Sequence, residues 1–381
     1  MPLTFDCGLR NLSMITPYHL PDGPAEIVRL PGVPAPGPAN AALFAAARRI
    51  DAARVFVAGP GAAATALWAA RSGAAVTFWT ENAAEAESLD ATFTQARLAG
   101  PRRCVQADFA GLEPESCDIA LLHLPRGSDL QAEALALAAA MLREGGRLVF
   151  VGATNEGIKG AVKQAKAIFG QAGIVARKGG YHAGLAQRPR GAFPLPAVNY
   201  AGYDIIVDGH PTRLVSCAGA FARDRLDAGA AALVAGMQVT AGRRVLDLGC
   251  GTGLAGLAAL RRGAEVTLVD VSARAAASTQ RTLAANGYPD AAVHLACGAA
   301  PIAPATMDSV VTNPPFHRGH GVDFEVAQLF VRESARVLKA GGKVYLVANA
   351  FLQYDPWLKA SFSRVDIAWE DRQFRVWEGV K

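Results

Sequence analysis

The chain repeats itself. Residues from Arg54 read RVFVAGPGAAATALWAARSGAAVT, and residues from Arg244 read RVLDLGCGTGLAGLAALRRGAEVT. The two stretches align without a gap, and 11 of their 24 positions are identical, among them Gly59/Gly249, Gly61/Gly251 and Gly73/Gly263. The register persists downstream. CDIALLHLP from Cys117 lies opposite MDSVVTNPP from Met307, and LREGGRLVFVGATN from Leu142 matches LKAGGKVYLVANAF from Leu338. A repeat of this length is a folding unit in its own right, so the chain must build one α/β architecture twice.

Each copy reads as strand, glycine turn, helix, strand. In the second copy, residues 245–248 form a short apolar run ending in glycines, and residues 254–262 carry helical periodicity closed by Gly263. Residues 266–269 are a β-branched strand ending at Asp270. Strands alternating with helices predict parallel pairing, right-handed crossovers and a doubly wound sheet in each half. In such sheets ligands bind beyond the carboxyl ends of the strands, where the glycine turns fall. The Pro-punctuated stretch 188–196 cannot continue a helix and reads as an extended linker. The predicted domains are therefore 1–195 and 196–381. Residues 21–38, also Pro-rich, read as an irregular segment packed on the first sheet.

Composition excludes several classes. With 381 residues, 51% of them hydrophobic and 19% charged, the chain has core enough for two domains and is not intrinsically disordered. No apolar run reaches the roughly 18 residues that span a bilayer, and the N-terminus lacks a charged-then-apolar leader, so no membrane contact and a cytoplasmic location are expected. The six cysteines include no Cys-x-x-Cys pair. That argues against a zinc site or a disulfide scaffold, and His182, His294 and His320 add no ligand spacing, so no metal is expected. The net charge of +5 is compatible with a nucleic-acid partner without requiring one.

The chemistry concentrates in the second copy. Its turn, DLGCGTG from Asp247 to Gly253, lets a ligand approach the main chain and opens a helix whose amides attract an electron-rich group. Asp270 follows at the end of the next strand, where a carboxylate accepts from ribose hydroxyls. Gly251, Gly253 and Gly256 also satisfy the dinucleotide pattern, so this turn alone leaves a nicotinamide cofactor and S-adenosylmethionine (SAM) level. Asp247 breaks the tie, since it can hold a cationic amino group that a dinucleotide lacks. So does NPPF at 313–316, directly after the apolar strand 309–312. Consecutive prolines remove backbone donors and fix the chain, leaving the Asn313 amide oxygen and the Pro314 carbonyl as paired acceptors, with Phe316 as a flat wall. Such a trap suits a planar exocyclic NH2 group. Cys250, without an adjacent base, is read as a small side chain rather than a nucleophile.

At this point a family is recognisable. The second copy resembles class I SAM-dependent methyltransferases. TNPPFHRG from Thr312, KAGGKVYLVANAFL from Lys339 and QFRVW from Gln373 resemble ribosomal RNA guanine-N2 methyltransferases, most closely the small-subunit RsmC family. That family also carries a catalytically silent first methyltransferase-like domain; GIK at 157–159 and YHAG at 181–184 are similar to it. The resemblance implies SAM as cofactor, methylation of a guanine N2 amine in rRNA, and a monomer acting on ribosomal RNA or the small ribosomal subunit. It implies Asn313, Pro314 and Phe316 as catalytic residues. It implies Asp247, Gly249, Gly251, Gly253, Asp270, Val271, Gly298, Asn313, Phe221 and Asp227 as cofactor-binding residues, and Pro315, Phe316 and His317 as substrate-binding residues. Two departures stand out. The lead-in AGAFARDRLDAG at 218–229 lacks the family's Pro and two of its Ser, and Cys297-Gly298 stands where many relatives carry an adenine-binding acid.

Three alternatives remain open at this stage: a 23S rRNA guanine-N2 methyltransferase, a protein-glutamine methyltransferase, and a non-catalytic SAM-binding assembly factor. The first copy is expected to be silent, because Val57, Thr80 and His123 stand at the positions of Asp247, Asp270 and Asn313. Its helix with Lys159, Lys163 and Lys166 on one face, flanked by Arg177, Lys178, Arg188 and Arg190, is the candidate RNA-phosphate surface.

Overall fold

Strand β3 shows why the repeat folds as it does. Val55 and Val57 face one hydrophobic cluster while Phe56 and Ala58 face another, so a continuous apolar run is buried on both sides. A computed structural model describes residues 13–220, 225–315 and 321–381, the side chains of 321–323 excepted. Its described residues divide into two units, 13–198 and 199–381.

The first unit runs β1 (Met14–Leu20), β2 (Gly23–Arg29), α1 (Pro38–Ala47), β3 (Arg54–Ala58), α2 (Ala63–Arg71), β4 (Ala75–Thr80), α3 (Ala83–Gln95), β5 (Arg102–Val105), β6 (Cys117–His123), α4 (Ser128–Met141), β7 (Leu142–Ala153), α5 (Ile158–Phe169), β8 (Ala172–Lys178) and β9 (Tyr181–Gln187). The second runs β10 (Tyr200–Val207), β11 (His210–Cys217), α6 (Ala228–Gly236), β12 (Arg244–Leu248), α7 (Leu254–Arg261), β13 (Glu265–Asp270), α8 (Ala273–Ala285), β14 (Ala292–Leu295), β15 (Met307–Thr312), α9 (Gly321–Val337), β16 (Leu338–Asn349), α10 (Asp355–Lys359), β17 (Arg364–Glu370) and β18 (Phe374–Val380). The sheets have the orders β5-β4-β3-β6-β7-β9-β8 and β14-β13-β12-β15-β16-β18-β17, so the duplication holds strand for strand.

Two expectations need correction. The sheets are not wholly parallel, because β7 with β9 and β16 with β18 pair antiparallel, as do the edge pairs β8–β9 and β17–β18. A short return from β17 to β18 cannot cross over and must form a hairpin. Nor is the stretch after Pro21 irregular. β2 pairs with β1, and on its other edge Val28 N within the strand and Leu30 N just after it donate to Thr92 Oγ1 and Ser88 Oγ of α3, both at 3.0 Å.

Strand order reverses between β12 and β15, which pair in parallel with Leu248 beside Thr312. The crevice beyond their carboxyl ends is where a ligand sits in this architecture. At the opposite end, Asp308 accepts from Arg244 N at 2.9 Å and from Lys339 Nζ at 2.8 Å, which staples β12, β15 and β16 and keeps its carboxyl below the usual range.

Candidate active site

Asp247 occupies the fourth position of β12, on the face where the first unit places Val57. It is 2% exposed, and its Oδ2 accepts from Gly256 N at 2.8 Å, tying the strand to α7. Burial pushes its carboxyl up to about 7; the Gly256 hydrogen bond works against that shift and nearby Asp270 adds to it. Among the described residues no cation is paired with Asp247.

The glycine turn hangs between two carboxylates. Gly249 N and Cys250 N donate to Val269 O at 2.8 and 3.1 Å, carrying the turn across the end of β13. Gly251 N donates to Asp270 Oδ2 at 2.8 Å, and Ser272 N donates to its Oδ1 at 2.9 Å. Asp270 is half-buried, and desolvation raises its pKa despite these bonds. Gly251 has φ +58° with no atom within 4 Å of where a Cβ would stand, so that side of the turn is open. Gly253, at φ +82°, caps α7 in the left-handed region, with Thr279 Cγ2 2.9 Å from a Cβ position. Thr279 Oγ1 donates to Gly251 O at 2.9 Å and lies 3.4 Å from Cys250 Sγ. Burial drives the Cys250 thiol well above its ordinary value, so it is no nucleophile.

Beside the turn, Thr312 Oγ1 donates to Leu248 O at 2.8 Å and locks the end of β15 onto β12. Asn313 follows, half-buried, its Nδ2 donating to Asp227 Oδ1 at 2.8 Å. Asp227 caps α6, where the same Oδ1 accepts from Ala230 N at 2.6 Å. With Nδ2 engaged, the Asn313 amide has its oxygen left to accept. Pro314 is buried and Pro315 exposed.

In the first unit the corresponding space is filled by the chain itself. Gly61 N donates to Glu85 Oε1 at 2.9 Å, and Asn40 Nδ2 reaches Gly61 O at 3.4 Å and Thr65 Oγ1 at 3.3 Å. Thr65 Oγ1 and His123 Nε2 share a hydrogen bond of 2.9 Å, and Pro34 stands 3.3 Å from the Gly61 Cβ position. Burial lowers the His123 pKa to about 4, so the ring is neutral. This pocket is plugged.

Comparison with known proteins follows the same division. Residues 211–378 match the Methyltransferase small domain family, and residues 45–189 match the Methyltransferase small domain N-terminal family. The chain is 32% identical to the ribosomal RNA small subunit methyltransferase C of Pseudomonas entomophila, over 80% of this chain and 88% of that one. It is 34% identical to the protein of that name from Stutzerimonas stutzeri, over 81% and 90%. Among solved structures it is similar to the T. thermophilus 16S rRNA N2 G1207 methyltransferase (RsmC) in complex with AdoMet and guanosine. The TM-score is 0.82 and the identity 28%, over 97% of this chain and 98% of that one. The chain belongs to the ribosomal RNA small subunit methyltransferase C family.

Within this family member, Asp247, Gly249, Gly251, Gly253, Asp270 and Asn313 converge on one crevice. Val271 N adds a further hydrogen bond to the Asp270 carboxylate. Gly298 is buried, with Glu333 Cγ 3.3 Å from its Cβ position. Glu333 accepts from Ala299 N at 3.2 Å and is tied to Arg336 at 2.7 Å, so the acid nearest the Cys297-Gly298 step is already committed. Phe221, Phe316, His317 and His320 lie outside the described residues.

In the first unit, Lys159, Lys163 and Lys166 are exposed on α5, opposite buried Ile158, Ala161, Ala165 and Phe169. Arg177 and Lys178 at the end of β8 are exposed as well. Arg188 does not belong with them. It is 3% exposed, donating to Ala139 O at 2.9 Å and Glu115 Oε1 at 2.6 Å and lying over the Phe193 ring. Arg190 is paired with Glu144 at 2.8 Å. Thr279 and Thr312 escaped the sequence reading, since a threonine inside a helix or at a strand end carries no signal until its partner is known.

Proposed function

We propose that the C-terminal unit methylates the exocyclic N2 amine of a guanine in 16S rRNA, with SAM as the methyl donor. The observation that carries this reading is the acceptor step of Asn313 and Pro314 at the end of β15, next to the glycine turn in the second unit and replaced by a plugged pocket in the first. The residues fit the cofactor. Asp247 is a buried carboxylate without a cationic partner among the described residues, and Asp270 is half-buried with both oxygens anchored by amides. Two carboxylates with no cationic partner among the described residues, beside a glycine turn with open space where a Gly251 side chain would stand, match a ligand carrying an ammonium, ribose hydroxyls and a sulfonium.

When bound, SAM supplies an electrophilic methyl group on a sulfonium sulfur. Asp247 would face the ammonium and Asp270 would accept from the ribose, with Val271 and Gly298 beside them and Phe221 assigned to the cofactor by the family resemblance alone. Base modification requires a guanine taken out of its stack, and the family resemblance assigns Pro315, Phe316 and His317 to it. Asn313 Oδ1 and the Pro314 carbonyl each accept one hydrogen of the N2 amine, which turns the nitrogen lone pair toward the methyl carbon. No strong base is needed, because the nitrogen sheds its proton to solvent only after the new carbon–nitrogen bond has made it acidic. Catalysis is then mainly orientation, worth up to about 7–11 kcal/mol in well-aligned systems.

Lys159, Lys163 and Lys166, with Arg177 and Lys178, supply a cationic face for rRNA phosphates. No helix among the described residues is long and apolar enough to cross a membrane. We read the protein as a cytoplasmic monomer acting on the small subunit or its RNA. The test is transfer of a tritiated methyl group to free 16S rRNA, small subunits, 23S rRNA and a glutamine peptide, followed by mapping of the labelled base. Label on N2 of a 16S guanine is the expected result; label on 23S rRNA or on the peptide refutes the assignment.

A further inference from the structure

Asp227 lies 86 residues from Asn313 in sequence, yet the two side chains meet. One oxygen, Asp227 Oδ1, accepts from Ala230 N at 2.6 Å and from Asn313 Nδ2 at 2.8 Å. The first bond fixes the carboxylate on the end of α6, and the second fixes the amide of Asn313. Gly229 leaves room for the encounter. A Cβ there would stand 3.2 Å from Asp227 Oδ1, 3.3 Å from Asn313 Oδ1 and 3.4 Å from Asn313 Nδ2, so any side chain would press on the pair.

We propose that Asp227 is a positioning residue that holds the Asn313 amide with its oxygen toward the methyl-accepting amine. This role rests on the transfer reaction proposed above, and it differs from the cofactor contact that sequence resemblance suggests for Asp227. An asparagine amide has two nearly isosteric ends, and only the oxygen end accepts. A carboxylate on Nδ2 admits one orientation and rejects the flipped one, in which two oxygens would face each other. Its charge also polarises the amide and strengthens Oδ1 as an acceptor.

The first unit is an internal control. At the offset of 190 residues that aligns the glycine turns, Asp227 corresponds to Gly37, Gly229 to Ala39 and Asn313 to His123. The cap, the space and the amide are all missing in the copy whose pocket is filled. Gly37 makes no side-chain cap, so the helix start survives without an acid there.

Three variants of the full chain separate positioning from structure. Asp227→Ser keeps a good helix cap but is too short to hold Asn313. Asp227→Asn retains an acceptor at Oδ1. Gly229→Ala raises helix propensity while crowding the pair. For Asp227→Ser we expect unchanged melting, unchanged SAM affinity by calorimetry, little change in KM for RNA and a kcat lower by about 100-fold. Asp227→Asn recovers most of that loss. Gly229→Ala melts no lower than wild type but loses about tenfold in kcat. Wild-type kcat in Asp227→Ser and Gly229→Ala overturns the role. So does weakened SAM binding in parallel with kcat, or failure of Asp227→Asn to rescue. Wild-type protein that binds SAM but labels no RNA instead overturns the reaction itself, which keeps the two failures distinguishable.

Discussion

Asp247 makes SAM binding depend on pH in a way that can be worked out beforehand. Its carboxyl is pushed up to about 7 in the folded protein from an ordinary 3.8, because the residue is 2% exposed, Asp270 is near, and no cation among the described residues is paired with it. At about 1.36 kcal/mol per unit, ionising it inside the protein costs about 4 kcal/mol more than in water. The folded state thus holds this proton more tightly than the unfolded chain. Without ligand, the contribution of Asp247 to stability falls as pH rises from about 4 to about 7 and levels off above. An ammonium brought beside Asp247 favours the ionised form. At pH 6 about one molecule in ten is ionised, so the apparent Kd for SAM should be about tenfold weaker than the limiting value, with nearly one proton released per SAM bound. Calorimetry from pH 5.5 to 7.5, in buffers of different ionisation enthalpy, reads both quantities below the range where the ligand's own amino group, at about 7.7–8.0, begins to titrate. Asp247→Asn should bind weakly with no pH dependence in this window, which separates Asp247 from Asp270. A wild-type Kd that is flat across the window, or a slope that survives in Asp247→Asn, refutes the reasoning.

Asn313→Ala should leave the SAM Kd within about twofold and lower kcat by at least about 100-fold, measured by calorimetry and methyl transfer, because it deletes an acceptor that orients only the reacting amine. Glu85, 4% exposed, has its carboxyl pushed up to about 7 by burial. Its contribution is therefore most favourable at low pH and worsens by about 2–3 kcal/mol between pH 5 and pH 8, and Glu85→Gln should narrow the difference between urea melts at those two values. Lys163→Glu with Lys166→Glu should weaken RNA binding and flatten its dependence on log salt by about 1.5, if each lysine meets a phosphate. An unchanged salt slope removes α5 from the RNA surface.

Much of this protein is legible in its sequence because the informative signals are local. The glycine turn, the acid at the end of β13 and the two prolines after β15 each sit within a few residues of the strand that positions them. The repeat then supplies the long-range information that a single copy lacks, aligning β12 with β3 and β15 with β6. What escaped notice depends on contacts between distant segments. Strand β2 follows Pro21 and contains Gly23 and Pro24, which read as punctuation, and what secures it is Ser88 and Thr92 on a helix some 60 residues away. Arg188 sits among prolines and looks like an exposed cation, yet carbonyls and Glu115 draw it into the core. The antiparallel edge was missed because β17 and β18 carry no pattern that marks direction.

The two units together show why a glycine turn is a poor indicator of ligand binding. In both, the amide of the turn's second glycine demands a carboxylate: Gly251 N takes Asp270 and Gly61 N takes Glu85. The difference lies in where that carboxylate comes from. Asp270 reaches the turn from the end of a strand and remains half-exposed, with lone pairs left for hydroxyl groups outside. Glu85 reaches it from inside α3, and its Oε2 is buried without a hydrogen-bond partner. Both solutions satisfy the backbone, and only one leaves an acceptor that a ligand can use. The same logic applies at β15, where Asn313 keeps a free acceptor because Asp227 occupies its donor, whereas His123 is tied to Thr65. Activity in this fold tracks which polar atoms remain uncommitted after the backbone is satisfied, so a duplicated scaffold can lose its chemistry while keeping Gly59 and Gly61, the counterparts of Gly249 and Gly251 in the turn that seemed to announce it.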